Sequence, residues 1–127
     1  MAENWITGAL AGHSIGLDDR MRVRLRLARS SDALAIGDLL ASRAIPTPDV
    51  QARRLVQFDP RRRYVVCATG LFDGSEELVG VGAIDLTEEE PEPDLLITAA
   101  DVADAVAELL RDCLVGAARA TTDSRAA

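Results

Sequence analysis

The chain has 127 residues, 48% of them apolar, and a formal net charge of −7. That length suits one domain with one core, and the apolar content excludes wholesale disorder. The negative balance argues against a nucleic-acid or anionic-membrane binder.

All 14 basic residues are Arg, and Ala is abundant, which points to a GC-rich, bacterial coding sequence. No apolar run approaches ~20 residues, so no membrane-spanning helix is expected. The N-terminus lacks the basic-then-apolar order of a secretory signal, and a cytoplasmic location is expected. Cys67 and Cys113 sit in the apolar patterns of different elements and read as two buried thiols. No metal site is expected.

Residues 1–19 read as an N-terminal arm. Gly8, Gly12 and Gly16 weaken any helix there. Trp5, Ile6 and Ile15 offer surface anchors, and a strand completing a sheet is the sharper alternative. His13 lies in this arm without catalytic partners, so it reads as a plain surface residue. Arg20 to Leu27 alternate strictly, with Arg20, Arg22, Arg24 and Arg26 on one side and Met21, Val23, Leu25 and Leu27 on the other. This is a half-buried strand. Its Arg face reads as an exposed edge that resists pairing, with an anion contact as the alternative.

Ser30-Ser31-Asp32 predicts a helix start with Ser as cap. The helix runs to about Arg43, with Ile36, Leu39 and Leu40 inward. Thr47-Pro48-Asp49 opens a second helix, which carries Val50, Leu55 and Val56 and ends near Phe58. Tyr64–Thr69 and Leu78–Leu86 form a hairpin about Asp73-Gly74, with a loop longer than two residues. Gly80 and Gly82 share one strand face, which predicts either a bulge or the close approach of something else, a packed neighbour ahead of a ligand. Glu88 to Asp94 is an acidic, proline-broken, solvated loop.

Leu95-Leu96-Ile97 is then a short buried strand. It feeds a helix whose apolar stripe is Val102, Val106, Leu109, Leu110, Cys113, Leu114 and Ala117. Such a junction often binds phosphate, because the helix start offers free N–H groups and positive partial charge. Here Asp101 and Asp104 occupy the first turns, satisfy the dipole themselves and repel an incoming phosphate. Residues 121–127 read as a disordered tail.

The ordered set VRLRLARSSDALAIGDLLASR, YVVCATGLFDGSEELVGVGAIDL and DLLITAADVADAVAELL resembles the GNAT acetyltransferase superfamily over residues 20–120. The resemblance implies an α/β (α+β) fold: a partial GNAT-like domain, lacking the usual C-terminal half, with a mixed, mainly antiparallel sheet of about four strands and three helices. It also implies where acetyl-CoA would bind. Backbone near Ile97, Thr98 and Ala99 would polarise the thioester, and the helix-opening turn would cradle the pyrophosphate. The family's (Arg/Gln)-x-x-Gly-x-(Gly/Ala) motif falls on Ala103, Asp104, Ala105, Val106 and Ala107. Each Gly position is Ala, and the Arg position is Asp.

No catalytic residue is assigned. Tyr64 lies on the second strand of the family pattern and is not the family's general acid. Glu92, Asp94 and Asp85 lie near the position of the family's base. Three functions are weighed. The first is a non-catalytic interaction or regulatory module with no cofactor and an open sheet edge, which a second copy, residues 3–10 of the arm or another protein would cover. The second is an N-acyltransferase using acetyl-CoA or another acyl-CoA, its site completed by oligomerisation. The third is a ligand-binding domain of another lineage using the Arg20–Arg26 face.

Overall fold

The computed structural model describes residues 14–16, 22–72, 74–99 and 104–126, with side chains over 22–71, 74–99 and 104–121. Among the described residues, five strands form one sheet in chain order. They are β1 (Ser14–Gly16), β2 (Arg22–Leu27), β3 (Arg63–Phe72), β4 (Ser75–Asp85) and β5 (Pro93–Thr98). Every neighbouring pair is antiparallel. The sheet is therefore one strand wider than expected and not mixed. The extra strand comes from the arm, where Ile15 pairs with Val23.

Helices α1 (Ala33–Ser42) and α2 (Pro48–Val56) cover one face, and α3 (Asp104–Ala126) covers the other. The alternation along β3 decides which residue serves which layer. Tyr64, Val66 and Ala68 pack with α3, while Val65 and Cys67 pack with α1 and α2. On β2, Val23 and Leu25 turn inward, and Arg22 and Arg24 stay exposed.

Gly80 and Gly82 face α3. A Cβ at Gly80 would lie 2.9 Å from Leu110 Cδ1, and one at Gly82 would lie 2.7 Å from Leu114 Cδ1. The bare strand lets the helix sit close, as the glycine spacing predicted. Val106, Leu110, Leu114, Ala117 and Ala118 are the buried row of α3.

The tail expected from 121 is instead helix to Ala126. Buried Thr121 accounts for its start: its hydroxyl bonds the Ala117 carbonyl at 3.0 Å and lies 2.9 Å from Tyr64 Oη. The hairpin loop is shorter than expected. Ladder bonding carries polar Ser75, Glu76 and Glu77 into β4, leaving a two-residue connection in which Gly74 has φ +80°. Val50 is 41% exposed, because α2 turns Ala52 and Leu55 inward.

The start of the first helix also differs. Ser30–Asp32 is a 3₁₀ turn, and Asp32 rather than Ser30 supplies the cap. Its carboxylate accepts the Arg29 backbone N–H at 2.7 Å and a two-pronged bond from Arg26, also at 2.7 Å. Strand β2 thus clasps the start of the helical layer. Helix α1 ends with Ala44 at φ 59°. There Ile45 N–H bonds Leu40 O, and Ala44 N–H bonds Ala41 O, both at 3.0 Å. This is a Schellman stop built on alanine, and it sets Ile45 against Leu40.

Candidate functional site: the outer edge of β5 and the start of α3

Among the described residues β5 pairs only with β4. Opposed pairs are Val81 with Ile97 and Ala83 with Leu95, and Ala99 N–H bonds Val79 O at 2.9 Å. Antiparallel hydrogen bonding alternates by residue. Leu95, Ile97 and Ala99 therefore turn their backbone groups toward β4, while Leu96 and Thr98 turn theirs outward; the register shifts at Asp94, where the alternation stops. Of Ile97, Thr98 and Ala99, only Thr98 turns its N–H away from β4. The sequence reading missed Leu96, which is its companion on the edge. Strand periodicity identifies the two sets, but it does not tell which set faces the neighbour.

The described part of the helix start is Asp104, Ala105, Val106 and Ala107; Ala103 and Asp101 lie outside the described residues. Asp104 and Ala105 are exposed, Ala107 is half-buried, and Val106 is fully buried in the core between helix and sheet. One side of the turn is thus committed to packing. The other presents a carboxylate and a methyl group. A pyrophosphate cradle needs bare backbone and positive charge at this place, and these four residues do not fit one.

Each of the three carboxylates near the position of the family's base has a partner. Asp94 meets Arg63 at 3.2 Å, and Glu92 meets Arg111 at 3.4 Å. Asp85 accepts the Thr87 hydroxyl at 2.6 Å and its backbone N–H at 2.8 Å, and these bonds hold its carboxyl below the usual range. A general base needs the opposite shift. Tyr64 is 1% exposed and bonded to Thr121, a core position.

Burial and the Asp32 charge push the Cys67 thiol up to about 12, and burial pushes Cys113 up to about 11. Neither is poised as a nucleophile. Among the described residues, no group of His, Cys, Asp and Glu side chains could hold a metal ion. None of the helices among them is long and apolar enough to cross a membrane. Arg22 and Arg24 line a shallow hollow of about 90 Å³ with Thr69, Leu71 and Glu76. Glu76 already accepts the Thr69 hydroxyl there at 2.6 Å, which places a carboxylate in any anion contact of that strand face.

The fold resembles a solved structure. A crystal structure of a ribosomal-protein-alanine N-acetyltransferase from Brucella melitensis biovar Abortus 2308 matches with a TM-score of 0.60 and 26% identity, over 79% of this chain and 74% of that one. No protein-family model and no curated protein matches the chain.

Proposed function

We propose that this chain, whose fold is GNAT-like, serves as an interaction module that has given up acetyl-CoA and pairs through the outer edge of β5. The observation that carries the proposal is the start of α3. Val106 is fully buried there, while Asp104 faces solvent where a phosphate would sit. Bringing a pyrophosphate against that carboxylate sets like charges together at a helix start whose dipole Asp104 already satisfies.

The edge itself supports the second half of the proposal. The outward groups of Leu96 and Thr98 have no strand partner among the described residues, and Leu96 is 37% exposed. An unpaired edge with an apolar side chain is a template for another strand, here that of a second copy or of a partner protein. A cytoplasmic location belongs to the same reading, since Cys67 and Cys113 are both free thiols.

A second reading is an N-acyltransferase using acetyl-CoA or another acyl-CoA, its site completed by oligomerisation. The outward Thr98 N–H at the end of β5 favours it, as does the likeness to an N-acetyltransferase.

Titration calorimetry of acetyl-CoA, with molar mass measured in the same buffer, separates the two. No heat at millimolar ligand together with a dimeric mass is the result expected of the module. Micromolar binding would overturn it and bring amine substrates into the search.

A further inference from the structure

On the α1–α2 face, a cleft of about 330 Å³ is lined by Leu40, Ile45, Leu55 and Leu95, with Arg54, Arg63, Gln51 and Asp94 as its polar members. It lies at the opposite end of β5 from Thr98: Leu95 and Thr98 are three residues apart, roughly 10 Å along a strand. We propose that this cleft binds a small monocarboxylate with an apolar tail.

Four observations carry the assignment. First, Arg63 Nε is buried with no hydrogen-bond partner. Buried donors are almost always satisfied, so an orphan at a cleft points to an acceptor that belongs there. Second, Arg54 makes no ion pair among the described residues. Third, the Asp94 charge is already met by Arg63 at 3.2 Å. Two guanidinium groups and one carboxylate leave the lining with one positive charge, in a chain whose net charge is −7. A local field opposite in sign to the whole molecule selects an anion. Fourth, the remaining wall is aliphatic. Leu40 and Ile45 are brought together by the Schellman stop, and Leu55 and Leu95 complete the surface. The volume sits at the lower end of small-molecule pockets.

The arrangement divides the ligand in two. The carboxylate accepts from Arg63 Nε and from the Arg54 fork, and charge-assisted bonds of this kind are the strong ones. The tail lies along Leu40, Ile45 and Leu55 and loses water on binding. Gln51 has donor and acceptor capacity for a polar substituent near the head.

The test is a calorimetric titration of the full chain with octanoate, acetate and octylamine, alongside an NMR titration that follows the Arg63 Nε–H resonance. Octanoate is expected to bind and to shift that resonance, acetate to bind more weakly, and octylamine not to bind. Arg54→Gln changes an exposed residue and is expected to keep the fold, checked by its melting curve, while weakening octanoate about tenfold or more. The proposal is overturned by silence toward octanoate at millimolar concentration, by equal binding of octylamine, or by an unchanged affinity in R54Q. An unmoved Arg63 Nε–H resonance on saturation also overturns it, and leaves that donor to a bound water.

Discussion

Tyr64 Oη and Thr121 Oγ1 lie 2.9 Å apart inside the core and tie the start of β3 to the far end of α3. Thr121 also donates to the Ala117 carbonyl at 3.0 Å, so its hydroxyl has two partners. Tyr64→Phe leaves Thr121 bonded within the helix and is expected to lower stability by about 1 kcal/mol. Thr121→Val strands the buried phenol and is expected to cost about 1–3 kcal/mol. Urea unfolding of the two single variants and the double variant measures the coupling. Independent, additive losses would mean that the pair does not act as a unit.

The clasp between Arg26 and Asp32 predicts an acid-sensitive stability. Burial opposes the charged form of Asp32, but the bonds from Arg26 and Arg29 outweigh it, and the carboxyl titrates below its ordinary value. A group of this kind contributes fully above its unfolded pKa, near 4, and loses the contribution as the pH falls through the folded value. Asp32→Asn should therefore melt well below the parent at pH 7, by roughly 2 kcal/mol in stability. The two melting temperatures should converge as the pH falls below about 4. A gap that persists into acid would point to packing instead of charge.

The close seat of α3 predicts overpacking. Gly82→Ala sets a methyl group 2.7 Å from Leu114 Cδ1 and 3.3 Å from Leu96 Cδ1, inside a closed core. The expected loss is about 1–3 kcal/mol. Adding Leu114→Val to Gly82→Ala should cost less than the sum of the two single changes. Denaturant midpoints of the four proteins in the cycle decide this.

Ala44 predicts a gain. Its φ of 59° belongs to the left-handed region, where the alanine Cβ is strained and glycine is not. Ala44→Gly keeps the Ile45-to-Leu40 bond that closes α1. It is expected to stabilise the chain by a few tenths to about 1 kcal/mol, since relief of strain exceeds the added freedom of the unfolded chain. A lower melting temperature in the variant would contradict this account.

The two thiols should resist modification. With Cys67 pushed up to about 12 and Cys113 up to about 11, the thiolate fraction at pH 8 is very small for both. An Ellman's reagent time course is expected to show little reaction in the native state and two equivalents on unfolding. Rapid native reaction at either residue would show that its surroundings open.

Much of the frame was legible in the residues alone. The alternation of Val23 and Leu25 with Arg22 and Arg24, the paired glycines of β4 and the stripe of α3 follow from the two periods of backbone geometry, 2.0 and 3.6. The order of elements was likewise a local property, and with it came the GNAT-like fold. Other features depended on partners far along the chain. Asp32 became the cap because Arg26 on the neighbouring strand reaches it, and Thr121 stayed helical because Tyr64 lies opposite. The outward set on β5 was decided by register with β4, and the cleft between α2 and β5 joins Arg54, Arg63 and Asp94 from three separate elements. Local pattern records which face of an element is apolar. Only packing decides which polar groups meet, because that depends on distances between elements that no spacing along the chain contains.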